Sequence, residues 1–204
     1  MTSLLLGSAS PRRRELLARM GLPFEVLAAD VDESRIAGEP VRALPLRLAR
    51  LKARAAVELH RARGGGPVIA LAADTVVSMG ELELGKPRDR AHARELLEQL
   101  SGREHFVTTG VCVLAADGRE GSCSIDTKVR FRSMSANEID WLVASGDGDD
   151  KAGGYGLQGL AGAFVERLEG SASNVIGLPL GEALQLLAGA GLPMPWSARA
   201  GAGR

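Results

Sequence analysis

At 204 residues, 45% of them hydrophobic and 25% charged, the chain has a globular composition and enough length to bury one packed core. Lysine plus arginine equals aspartate plus glutamate at 25 each, so no global basic field draws the chain to nucleic acid or to an anionic membrane surface. The sequence shows neither an apolar run of about 18 residues nor a charged-then-apolar leader, so no membrane span is predicted and a cytoplasmic location is expected.

Leu4 to Leu6 is a short apolar run that reads as a buried strand, interrupted by Gly7 and Ser8. Ser10 is a good N-cap and Pro11 suits a first helical position, which predicts an amphipathic helix ending at Gly21. Arg13, Leu16, Leu17 and Met20 share one of its faces. Residues 24–28 read as a strand, followed by an acidic loop holding Asp30, Asp32 and Glu33. A long helix is predicted from Pro45, with Leu48, Leu51, Ala55 and Leu59 as its apolar stripe. Residues 67–74 form a continuous apolar run ending at Asp74, as expected of a strand buried on both faces. The segments flanking Gly80-Glu81 suggest a hairpin, and Asp89 caps a helix whose Ala93, Leu96, Leu97 and Leu100 align.

Residues 105–116 and 121–134 flank Asp117-Gly118 and predict a second hairpin. Cys112 and Cys123 are equidistant from that pair, so a two-residue turn would set them opposite each other; without an export signal, reduced thiols are expected. The cysteines and the scattered His60, His92 and His105 have no zinc spacing. Ser135 and Glu138 make a capping box before a helix with Ile139, Trp141, Leu142 and Val143. Residues 145–159 read as a flexible glycine-rich, acidic connection, 161–170 as a strand and 177–191 as a last helix, with a Pro, Gly, Ala and Arg tail at 191–204 expected to be partly disordered. The predicted class is α/β with a mixed, twisted sheet and flanking helices in one domain over 1–190.

Arg12, Arg13 and Arg14 occupy the first turn of a helix, where a cation opposes the macrodipole. A solvated basic turn is one reading; an anion bound to helix amides, Ser8, Ser10 and guanidinium forks is the other. Asp74 at a strand end either caps a turn or is paired, hydrated or metal-bound, since a buried carboxylate needs compensation. Glu33 could lie in a merely solvated loop, Lys52 on a solvated helix face, and Lys86 is fixed by the proline that follows it. Together they supply cations, carboxylates and amides, the set that phosphoryl chemistry uses.

The stretches SASPRRREL, VDE, AADTVV, GKPRD, KAGGYGLQG and NVIGLPLGEAL follow one another in an order that resembles the Maf family of nucleoside triphosphate pyrophosphatases. The resemblance implies a Maf/ITPase-like fold with two lobes around a deep cleft, and a divalent metal, Mg²⁺ or Mn²⁺, which Glu33 and Asp74 are expected to hold. It also implies hydrolysis of a nucleoside triphosphate to the monophosphate and pyrophosphate. It makes Asp74 the catalytic carboxylate and proton acceptor, with Arg12, Thr75 and Gln158 tuning substrate choice and Ser8, Arg13, Glu33, Lys52 and Lys86 as cleft residues. YGLQG further resembles the subgroup acting on dTTP and UTP, modified pyrimidine nucleotides included, and the Gln158 amide can match the carbonyl and N3 hydrogen of uracil or thymine. Alternatives are a 7-methyl-GTP pyrophosphatase or a non-enzymatic nucleotide- or nucleic-acid-binding regulator of cell division. The family is compatible with a homodimer; neutral charge and few aromatics argue against a stable nucleic-acid partner. Two departures from the family pattern, Gly146-Asp147-Gly148 and Ala172, are expected to loosen the approach to Gln158 and to remove a wall.

Overall fold

A computed structural model of the chain describes residues 3–197. The leucine run forms β1 (Ser3–Leu6), flanked in parallel by β2 (Glu25–Val26) and β3 (Val68–Met79). β3 pairs antiparallel with β4 (Leu82–Glu83) and with β5 (Glu104–Leu114), β5 with β6 (Glu120–Phe131), and β6 with β7 (Val165–Glu169). The result is a seven-stranded mixed sheet in the order β2-β1-β3-β5-β6-β7, with β4 added to β3. Among the described residues six α-helices flank it: α1 (Pro11–Ala18), α2 (Leu44–Ala62), α3 (Arg90–Leu100), α4 (Ala136–Ser145), α5 (Ala172–Ile176) and α6 (Leu180–Gly189). The predicted mixed α/β class holds.

Two hydrophobic cores divide the molecule into lobes along the long strands. In the first, Leu4 and Leu6 of β1, Ile69, Leu71 and Ala73 of β3, and Val111 and Val113 of β5 pack against Leu16 and Leu17 of α1 and Leu187 of α6. In the second, Val77, Val107, Val129 and Phe131 pack against α3 and α4. Residues 69, 71, 73, 75 and 77 lie on one face of β3 because side chains alternate along a strand, so the two cores share that face and Thr75 falls between them. The opposite face of the first lobe is covered by α2, through Ala49, Ala53, Val57, Ala70 and Ala72.

Several elements differ from the sequence reading, each for a local reason. β3 does not stop at Asp74 but runs on to Met79, because β5 pairs with it continuously from Ala70 to Ser78. The buried face of α2 is Leu44, Pro45, Leu48, Ala49, Ala53, Ala56 and Val57, while Leu51 of the predicted stripe is 38% exposed. The helix lies so close to the sheet that its contact line follows alanines rather than leucines. A Cβ on Gly110 would overlap the backbone of Pro45 and Leu46, and one on Gly7 would come within 3.3 Å of Ala56 and Ala72. A glycine inside a strand often marks such a close approach.

The β5-β6 turn holds three residues, 116–118, since Ala115 N donates to Arg119 O and Gly118 takes a φ of +89°. That extra residue shifts the register by one: Cys112 faces Ser122 and Cys123 faces Val111. The cysteines therefore point to opposite faces of the sheet, Cys112 toward α2 and Cys123 toward the first core, and both are free. Burial pushes the Cys112 thiol up to about 12, with Glu120 adding to it.

The predicted strand 161–170 is a 3-10 turn at Leu160–Phe164 followed by β7, and the glycine-rich connection packs its Tyr155 into the second core. The capping box of α4 forms as predicted, Ser135 and Glu138 each bonding the other's backbone amide. After Gly191, Leu192 and Met194 are buried in the first core; the disorder expected farther along the tail concerns residues 198–204, which lie outside the described residues.

Candidate active site

β1 ends at Leu6, whose register partner is Leu71, and β4 joins β3 only at Ser78. Between those positions one edge of β3 carries no strand partner among the described residues, and this open edge forms the floor of a cleft of about 910 Å³ between the lobes. Ser8, Ser10, Arg12, Arg13, Glu33, Lys52, Asp74, Thr75, Lys86 and Gln158 all line it. The structure thus brings these side chains into one cleft, while Arg14, the third arginine of the run, is not part of its lining.

Asp74 sits on the even-numbered face of β3, the face covered by α2. Lys52 Nζ donates to Asp74 Oδ1 at 2.6 Å and pairs with Glu33 Oε1 at 2.6 Å. Lys52 and Asp74 are largely enclosed, with side-chain exposures of 13% and 14%, whereas Glu33 is 60% exposed on its loop. An ammonium between two carboxylates offsets their mutual repulsion and holds both acids within one small volume. The close seat of α2 makes this possible: Gly110 is the register partner of Asp74, and Pro45 and Leu46 pack directly on it. Gly110 is a residue the sequence reading missed; its signal was a lone glycine inside a predicted strand.

Thr75 projects from the other face. Its Oγ1 accepts from Arg13 Nη2 at 3.0 Å and lies 2.9 Å from Thr109 Oγ1, directly across on β5. The three arginines of α1 have three different environments. Arg13 is buried beside Leu16 and Leu17, donating from Nε to Gly177 O at 2.7 Å and from Nη1 to Ser8 Oγ at 3.0 Å. Burial lowers its guanidinium below the usual arginine range, the nearby Asp74 charge working against that shift. Arg12 lines the cleft and pairs with Asp150 at 2.9 Å, an acid on the other lobe. Arg14 is exposed.

The serines serve the helix start. Ser10 Oγ caps α1 by accepting from Arg13 N, and Ser8 Oγ accepts from Ser10 N at 3.3 Å. Lys86 is exposed on the cleft wall. Gln158 is exposed on the far side, in the segment that follows buried Tyr155. Tyr155 OH meets Nε2 of fully buried His105 at 2.7 Å, and its ring packs edge-on against Phe131. Asn174, fully buried on α5, donates to Val107 O and Thr127 Oγ1, which fixes α5 and hence Val175 to Gly177 of the cleft wall. Ala172 opens α5 on an exposed position outside the cleft lining. The contacts of His105, Tyr155, Thr109 and Asn174 gave no sequence signal, since their partners lie 34 to 67 residues away.

The profile of the Maf-like protein family matches residues 3–190. The chain belongs to the Maf family. It is 51% identical over 202 residues to the dTTP/UTP pyrophosphatase of Anaeromyxobacter sp. (strain Fw109-5), covering 97% of this chain and 94% of that protein. It is 49% identical to the dTTP/UTP pyrophosphatase of Myxococcus xanthus (strain DK1622), covering 97% of each. A solved structure of a HAM1 protein from Coxiella burnetii matches with a TM-score of 0.51 at 17% identity, over 93% of this chain and 98% of that one. At that identity the likeness bears on the fold alone.

Proposed function

We propose that the protein hydrolyses dTTP and UTP to the nucleoside monophosphate and pyrophosphate. The observation that carries this reading is the placement of Asp74, Lys52 and Glu33 within 2.6 Å contacts on the floor of a cleft, with the start of α1 on one side of it and Gln158 on the other. Membership of the Maf family and two relatives of about half-identical sequence named dTTP/UTP pyrophosphatase support the choice of substrate.

In this reading the triphosphate lies along the cleft with its anionic end near Arg12, Lys86 and the positive pole of α1. Arg13 shapes that end of the cleft from below, since its hydrogen bonds to Ser8, Thr75 and Gly177 tie α1 to β3 and to the end of α5. Asp74 takes a proton from the attacking water as the water's oxygen bonds to the α-phosphorus. The bond from the α-phosphorus to the oxygen bridging it to the β-phosphorus breaks, and pyrophosphate leaves with that electron pair. Lys52 and Lys86 neutralise the charge that builds on the phosphate oxygens.

A divalent cation, Mg²⁺ or Mn²⁺, fits the donor set. Glu33 and Asp74 both reach one point, the Lys52 ammonium, and both offer carboxylate oxygens of the kind such ions prefer. Among the described residues no group of three or more His, Cys, Asp or Glu side chains forms a complete cage, so the remaining ligands would be water and substrate oxygens, as is usual for Mg²⁺. When bound, the ion supplies Lewis-acid charge stabilisation at the phosphates.

A substrate panel tests the proposal directly. With UTP, dTTP, CTP and 7-methyl-GTP assayed with and without chelator, pyrophosphate release from UTP and dTTP that stops on chelation is expected. Preferential turnover of 7-methyl-GTP, or tight nucleotide binding with no pyrophosphate released, would refute it.

A further inference from the structure

Gln158 hangs from a short glycine-rich segment and is exposed, so no packed wall fixes its side chain. An amide that can turn over reads uracil in one orientation and cytosine in the other. Its reach toward the base therefore depends on what holds the backbone that carries it.

That backbone is fastened on both sides. Before Gln158, Tyr155 is sunk in the second core and bonded to His105. After it, Leu160 N donates to Asp147 Oδ2 at 3.0 Å, across thirteen residues of sequence. Asp147 is itself held: the Lys151 ammonium donates to its carbonyl and stands 3.7 Å from its Oδ1. Gly159 lies against the same carboxylate so closely that a Cβ there would overlap Asp147 Oδ2, although its φ of −95° suits any residue. Gly156 is likewise pressed on the Lys151 side chain, where a Cβ would come within 2.7 Å of Cε. Far from loosening the approach to Gln158, the Gly146-Asp147-Gly148 stretch supplies the clamp that closes the loop behind it.

We propose that Asp147 is a positioning residue for base selection: its carboxylate, on a backbone held by Lys151, fixes the turn at Gly159 and Leu160 and thereby sets where the Gln158 amide meets the base. This rests on the reading of the protein as a pyrimidine triphosphate pyrophosphatase, and it adds a residue of the cleft lining that acts through the backbone carrying Gln158.

The test compares kcat and KM for UTP and CTP in the wild type, D147A, D147N and G159A. In D147A the kcat/KM ratio of UTP over CTP should fall about tenfold, through KM, with kcat for UTP held within about twofold. D147N keeps an oxygen that can accept from Leu160 N and should recover most of the ratio, whereas G159A, which displaces the carboxylate while retaining every polar group, should lose it as D147A does. A D147A or G159A ratio equal to that of the wild type overturns the proposal, as does an equal loss of kcat for both nucleotides, which would mark a general structural defect. Wild-type protein that releases pyrophosphate from neither UTP nor dTTP overturns the functional reading instead.

Discussion

Asp74 and Lys52 stand 22 positions apart in the chain and 2.6 Å apart in space, and the chemistry proposed for the cleft depends on that one contact. D74N conserves shape and can still accept from Lys52, while Lys52 keeps its second partner, Glu33. The expected result is turnover reduced by about 10²- to 10⁴-fold, the span associated with losing a general base, with an unchanged thermal melt. A folded D74N protein with full activity would refute the assignment. Residue identities of this kind were partly legible: the Arg13 side of α1 could be assigned from helical spacing with Leu16 and Leu17, and it is indeed the buried side. What spacing could not give was the fate of the guanidinium, because Thr75 and Gly177 reach it from 62 and 164 residues away.

The approach of α2 to the sheet is the element-level feature that assembles the floor of the cleft. It relies on a line of small residues, Gly7, Ala49, Ala53, Ala56, Ala72 and Gly110, none of which carries chemistry. G110A would place a methyl group into the backbone at Pro45 and Leu46, which cannot move without displacing the helix. Overpacking of this kind costs about 1–3 kcal/mol, so a lowered urea midpoint is expected. Activity measured well below that midpoint should fall as well, since the helix that moves carries Lys52. An active, equally stable G110A would show that the helix can be accommodated elsewhere. The continuous β3 and the offset hairpin belong to the same scale. Apolar runs and an Asp-Gly signal located both strands of the hairpin, but one additional turn residue reversed the facing of Cys112 against Cys123, a distinction beyond the reach of composition.

At the scale of the whole molecule, the second lobe contains a group whose titration should appear in global stability. His105 is fully buried, and burial lowers its pKa from the ordinary 6.5 to about 4. In the unfolded chain the imidazole takes up a proton as pH falls below 6.5, while in the folded protein it does so only near 4, so stability is complete above 6.5 and declines across that window. The linked loss amounts to about 3 kcal/mol by pH 4. H105Q removes the titration and leaves an amide able to bond Tyr155, so the slope of unfolding free energy against pH between 6.5 and 4 should flatten. An unchanged slope would mean that other groups govern it. The number and type of most elements, the double-buried strand, the capping box and the set of residues suited to phosphate chemistry were all determined by the sequence, because each depends on side-chain pattern over a few neighbouring positions. The joining of those residues into one cleft, the inward turn of Arg13, the clamp formed by Asp147 and the sides taken by the cysteines were decided only by the tertiary structure. Each of these depends on register and on the distance between packed elements, quantities set by the whole sheet and by glycines at which backbones nearly touch.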